Sequence, residues 1–492
     1  MSKLHKDILF LMFEVLQDDS KSLFSCLIVN RLWCETAISI LWRNPWRYDI
    51  GYHNKRSLYS VITYYLSDDI KEFLTKEGTE GILISRQSFL FDYLSFCRSI
   101  NIDVINSIIS IGTFSAYNRF LLQQEIYSLL MRKCSEIKYF DMLSIEHQIF
   151  CFPEAKARLE SLCELKCDTS INPTYFHGLA RICQNIQRLT IINKNIKINN
   201  GTVKLIEVQE NLKHFEWKDD FEDDYTIEDP YNEFLLALEQ KADTLKHLII
   251  CFQYVDGFEH TLLQEVLIKF HKLKSLIIND FVYFNENQLK KLVYPDLEIL
   301  NIDSISIDMA CSIIENSGRH LKEILLFKNY EFFEIDFDEV TLDYIHKIYK
   351  HCPSIEYLSL VFSSTKEHFT EFEKLLKVCQ NLKSLLLIIF TSDLEIHLET
   401  GEELLKTLIK SAPTNLREIR FLKSDITFSL ENLEVFLENW RCGRPALSML
   451  TNDPIYNKDD YVKLITKYKN DGVIKDFRFD DERRIHFERY EI

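Results

Sequence analysis

Thirteen cysteines and fourteen histidines are the residues of this 492-residue chain best suited to nucleophilic, redox or metal chemistry, and their spacing is the first test. No Cys-x-x-Cys pair occurs. The nearest metal-like spacing, Cys163 with Cys167, has no second pair or close histidine to complete the four ligands of a structural zinc. His346 and His351 are five residues apart, not the four that put two imidazoles on one helix face. None of the eleven glycines falls in a G-x-G-x-x-G or G-x-x-x-x-G-K pattern, so the usual phosphate cradles are missing. Neither a G-x-S-x-G elbow nor an H-E-x-x-H pair is present. The acidic run Asp219, Asp220, Glu222, Asp223, Asp224, Glu228 and Asp229 lacks the glycine and spacing of a calcium loop. It reads as a solvated insertion, with a docking loop for a basic partner as the alternative. We therefore expect no catalytic residue, no metal and no cofactor; an enzyme whose groups assemble from distant positions is the third reading.

What remains is a chain built to present surfaces. Its net charge of −17 arises beyond residue 50, because the first fifty residues carry six charges of each sign, and this opposes nucleic-acid or anionic-membrane binding. The amino-terminal apolar run, stopped by Glu14, is too short for a signal-peptide core, and no run approaches a membrane span. Reduced thiols in the cytoplasm and/or nucleus are the expectation.

The organising pattern is a repeat. An L-x-x-L-x-L frame, with other apolar residues allowed, starts at Ile137, Leu162, Ile186, Leu212, Leu245, Leu273, Leu297, Leu321, Ile355, Leu382, Leu416 and Ile474. Successive starts are 24 to 34 residues apart except the last, whose interval of 58 predicts a degenerate copy near Leu447. Helical patterns lie between the copies, as in Leu262, Leu263, Val266, Leu267 and Phe270. Each unit is then a strand plus a helix, and only stacked neighbours can bury both. Cys134, Cys183, Cys352 and Cys379 each precede a frame by three residues, which marks them as packing thiols at helix ends. The fifth frame position should project from the sheet face opposite the buried leucines. On that basis Ile249, Ile277, Leu325 and Leu386 are candidate target contacts, with Arg420 and Arg478 pairing an acidic or phosphorylated part. If the frame is off by one, these aliphatics are core instead.

Before the repeats stand three short helical patterns. Ile8, Leu9, Met12, Phe13 and Leu16 share one face, Asp19 or Ser20 can cap a second helix, and Trp33, Ala37 and Leu41 mark a third. So small a unit cannot bury that much apolar surface by itself. The stretch resembles an F-box. Leu4 stands where that motif opens; Ile8, Leu9, Phe13 and Leu16 match its aliphatic and "IF..L" positions. Leu23, Val29, Asn30, Arg31 and Trp33 match "L...V(C/N)(K/R).W", and Leu41 with Trp42 the closing "LW". His5 replaces the usual proline, which leaves the helix entry less rigid. With the repeats, the whole resembles F-box proteins with irregular leucine-rich repeats, such as the expanded fungal families, although the asparagine usual after the strand is mostly absent.

The resemblance implies an α/β protein: an N-terminal three-helix F-box at 1–50, a helical connector at 51–130 and a curved strand-helix leucine-rich-repeat solenoid at 131–492. It further implies a substrate-recognition subunit of a Skp-cullin-F-box ubiquitin ligase. Leu4, Ile8, Leu9, Phe13, Leu16, Leu23, Val29, Asn30, Trp33, Leu41 and Trp42 would meet a Skp-type adaptor, and through it a cullin, while the repeats hold an unknown protein target. A repeat scaffold without a role in degradation is the alternative.

Overall fold

The computed structural model describes residues 5–47, 52–76, 89–112, 115–221, 229–253, 260–279, 288, 290–303, 305–327, 337–390, 397–421, 427–441, 443–451 and 453–479. The chain divides into two compact units, Met1–Asp223 with Leu236–Lys241, and Asp224–Leu235 with Ala242–Ile492. Leu4 and the acidic stretches 222–228 and 480–492 lie outside the described residues.

The first unit opens with helices α1 (Lys6–Val15), α2 (Ser20–Cys26) and α3 (Arg31–Leu41). The polar break between α1 and α2 works as a cap: the Asp19 carboxylate accepts the Ser22 N–H at 3.0 Å. Asn30 does the same for α3, its side-chain oxygen accepting the Trp33 N–H at 3.0 Å. Leu9, Phe13, Leu23, Cys26, Ala37, Ile40 and Leu41 interlock into one small core. Helices Tyr52–Tyr64 and Asp68–Lys76 follow. The aromatic stretch 89–96 ends in the helical turn Tyr93–Phe96. Its rings gather on one side: Phe89 lies 4.3 Å from Tyr64 and 5.5 Å from Tyr93, and Tyr93 lies 4.7 Å from Trp42. Aromatic residues used this way form a wedge between helices, which a strand alternating across two faces cannot do.

The strand ladder starts earlier than the repeat frame, inside the span read as connector. Its first unit holds β1 (Ser99–Asn101), β2 (Tyr139–Asp141), β3 (Glu164–Asp168), β4 (Arg188–Asn193) and β5 (His214–Asp219), each parallel to the next and in chain order. The free edge of β1 is covered. Arg98 N–H donates to Arg43 O at 2.8 Å, Ser99 Oγ to Asn44 Oδ1 at 3.0 Å, and Trp46 Nε1 to Ser99 O at 2.9 Å, so the turn after α3 caps the ladder. In place of an asparagine ladder, mixed polar groups link the strand exits. Thr169 Oγ1 donates to Asn193 Oδ1 and Asn193 Nδ2 to Asp219 Oδ1, both at 2.9 Å and buried. Helices Pro173–Ile182 and Asn200–Glu207 pack behind these strands, and Gly201 permits it: a Cβ there would sit 2.5 Å from Pro173 O.

The second unit holds nine strands among its described residues: β6 (His247–Cys251), β7 (Ser275–Asn279), β8 (Ile299–Asp303), β9 (Glu323–Phe327), β10 (Tyr357–Ser363), β11 (Ser384–Phe390), β12 (Glu418–Phe421), β13 (Leu447–Thr451) and β14 (Ile474–Phe479). They too are parallel and consecutive, and β13 is the degenerate copy expected near Leu447. Strand-helix units of this kind are leucine-rich-repeat-like: the frame leucines, among them Leu276, Leu300, Leu358, Leu385 and their in-register partners, are buried row upon row. At the strand entries, Lys274 and Lys322 both reach Glu298, at 2.8 and 2.7 Å, and hold its carboxyl at about 2. Between β9 and β10 the backbone pairing stops after two residues. There Ser359 Oγ fills in, accepting Leu326 N–H at 2.7 Å and donating to Leu326 O at 3.2 Å.

Candidate functional site

The amino-terminal helices carry apolar surface that their own core does not use. Helix α1 turns Leu9 and Phe13 inward, both almost wholly buried, with Leu16 partly buried against them. Beside this stripe lies another at i, i+3, i+4 and i+7: Ile8, Leu11, Met12 and Val15, each at least half exposed. Phe24 on α2, with Ile28 and Val29 in the turn to α3, extends the exposed apolar set. The only charged residues of α1 are Lys6, Asp7 and Glu14. A helix apolar over most of its circumference needs more cover than the two helices beside it supply.

This corrects how the candidate contacts divide. Leu9, Phe13, Leu23 and Leu41 are closed inside the three-helix core, so they shape the surface and do not contribute to it. Trp33 is partly buried with its ring edge-on to Phe13 at 5.2 Å, and Trp42 is turned onto Tyr93 of the connector. Asn30 is exposed and serves as the cap of α3. Ile8 and Val29 alone of the described candidates present large apolar surface. Leu11, Val15, Phe24 and Ile28 were not among the candidates. Their signal was the unbroken run Ile8 to Phe13, six apolar residues where a single buried stripe calls for two or three.

The strand face is corrected more strongly. The frame itself is in register: Ile249 pairs with Ile277, Ile277 with Asn301, Asn301 with Leu325, and Leu386 with Arg420. Yet Ile277, Leu325 and Leu386 are buried, at 4%, 9% and 3% exposure, and cannot be target contacts as they stand. Strands β10 and β11 are buried through consecutive residues, Leu358 to Val361 and Leu385 to Ile389. Continuous buried runs of this sort, all aliphatic in β11 and broken in β10 only by the hydrogen-bonded Ser359, belong to parallel strands covered on both faces. Ile249 remains half-buried; Arg420 is held by Glu418, and Arg478 is exposed and paired with Asp476. In the first unit the alternation survives. Tyr139 and Arg188 are exposed, and Glu164, Lys166, Thr190 and Glu216 are partly open, between buried Phe140, Leu165, Leu189 and Phe215.

Among the described residues no group of three potential metal ligands converges. Cys183, Cys352 and Cys379 close helix ends in the core, and burial pushes each thiol up to about 12. Cys134 is raised by its contact with Cys97 and by burial. Thiols held protonated are poor nucleophiles. No described helix is long and apolar enough to cross a membrane.

No protein-family model and no curated protein matches the chain. Among solved structures it is similar to the yeast Rad7 and Elc1 complex, at 13% identity over 75% of this chain and 84% of that one, with a TM-score of 0.37. It is also similar to the leucine-rich repeat-containing protein LegL7 from Legionella pneumophila, at 13% identity over 65% and 84%, with a TM-score of 0.30.

Proposed function

We propose that this chain is the substrate-recognition subunit of a Skp-cullin-F-box ubiquitin ligase acting in the cytoplasm or nucleus. One observation carries the reading: the motif-matched three-helix unit leaves the stripe Ile8, Leu11, Met12 and Val15, with Phe24, Ile28 and Val29, open to solvent. Burying such a stripe under a partner's helices is the way a small unit completes its core. The chain would have no bond-making role. It would hold a target near a charged conjugating enzyme and so raise the local concentration of the target's lysines. With Ile277, Leu325 and Leu386 buried, target contact passes to the open strand face of the first unit, around Tyr139, Glu164, Lys166 and Arg188, and in the second unit to Ile249, Arg420 and Arg478. The test is titration of the full chain with a purified Skp-type adaptor. A saturable one-to-one complex is expected, and a folded chain that binds no such adaptor overturns the proposal.

A further inference from the structure

Between the end of the three-helix unit and the first rungs of the ladder lies an open pocket of about 440 Å³. Its volume falls in the range of small-molecule sites, and its lining is more apolar than polar. Phe10, Phe96 and Tyr139 supply the aromatic walls, while Arg43, Arg98 and Lys138 bring three cations to the rim. Two carboxylates answer them. Glu136 takes Arg98 at 3.4 Å and Lys138 at 3.0 Å, and Glu14 takes Arg43 at 3.1 Å, where the guanidinium also lies 5.5 Å from the Phe10 ring centre. Of the charged side chains that line the pocket itself, three are cationic and one, Glu136, is anionic, in a chain whose net charge is −17. Glu136 is itself 40% exposed, so it is placed as a replaceable counter-ion, not as a buried structural partner.

The geometry points to a binding site for a small amphiphilic anion, an aromatic carboxylate or monophosphate, whose ring lies among Phe10, Phe96 and Tyr139 while its charged group displaces Glu136 from Arg98 and Lys138. The walls are rigidly held, since Arg43 and Arg98 are joined through their backbones, Arg98 N–H to Arg43 O at 2.8 Å, and Lys138 N–H donates to Arg98 O at 2.7 Å. The inference does not rest on adaptor binding.

The experiment uses the full chain alone, with benzoate and phenyl phosphate as probes and benzamide and benzylamine as neutral and cationic matches, read by calorimetry and ligand-detected NMR. Both anions should bind and both controls should not. Lys138→Met should weaken benzoate about tenfold, the size of one charge-assisted contact. Glu136→Gln should act in the opposite sense and tighten it, because the competing carboxylate is gone; a merely structural ion pair would give no such gain. Benzylamine binding as well as benzoate, or Glu136→Gln leaving benzoate affinity unchanged, overturns the inference.

Discussion

The double substitution Leu11→Asp with Ile28→Asp separates a docking surface from a core. Leu11 is 62% exposed and Ile28 87%, so most of each side chain is still available for burial by a partner. Complete burial of such a side chain is worth about 1.5–3 kcal/mol, which scales to roughly 1–2 kcal/mol for Leu11 and somewhat more for Ile28. Together they should cost about 2–4 kcal/mol of adaptor affinity, a rise in Kd of roughly 30- to 1000-fold, before any penalty for desolvating the new carboxylates. The free chain should hardly notice, since exposed substitutions usually stay within about 0.5 kcal/mol apiece. Leu9→Ala is the counterpart. Leu9 is 1% exposed, and emptying such a site costs about 2–5 kcal/mol of stability. Calorimetric titration with the adaptor and thermal melts of the free proteins read both quantities. Adaptor binding undiminished in the double variant, or a drop in Tm as large as that of Leu9→Ala, would refute the reasoning.

Four further outcomes follow from the packing. His368 is wholly buried between hydroxyls, its Nδ1 at 2.6 Å from Thr365 Oγ1 and its Nε2 at 2.9 Å from Thr341 Oγ1, and burial lowers its pKa against the opposing pull of Asp338 and Glu367. His147, His260 and His351 are lowered as well, so the unfolded chain takes up protons first. Stability to urea should therefore fall as pH drops below about 6.5, and His368→Gln should flatten that slope; a midpoint unchanged between pH 7.5 and 5.5 contradicts this. Gly201→Ala places a methyl 2.5 Å from Pro173 O and should cost about 1–3 kcal/mol, seen as a lowered Tm, whereas an unchanged Tm would mean the helices separate freely. Ser359→Ala leaves the Leu326 N–H without its acceptor in a buried seam and should cost about 1–3 kcal/mol in denaturant melts. In thiol labelling of the native chain, exposed Cys151 should react ahead of Cys183, Cys352 and Cys379, which should label only on unfolding.

What the sequence disclosed and what it withheld divide along physical lines. The frame was readable because in-register parallel strands force every copy to put an apolar side chain at the same offsets, so Leu276, Leu300 and Ile324 announce one another across distant positions. Helix ends were readable for a similar reason, since Asp19 and Asn30 satisfy amide groups only two or three residues away. Exposure is a different quantity. Periodicity places Ile8 and Leu9 as neighbours on one helix, but which of them meets solvent depends on where α3 lies, and Leu9 won that contact. Likewise Ile249 and Ile277 occupy the same frame position and pair directly, yet one is half open and the other closed, because cover over a sheet face is supplied by whatever packs there and not by the strand. Strand β1 escaped notice since Ser99, Ile100 and Asn101 offer no leucine frame; groups of Arg43, Asn44 and Trp46, in the turn after α3, bond to that rung. The same dependence gives α1 its meaning. The exposure of Ile8, Leu11, Met12 and Val15 is the feature local pattern could not rank, and it is the one on which the proposed adaptor binding turns.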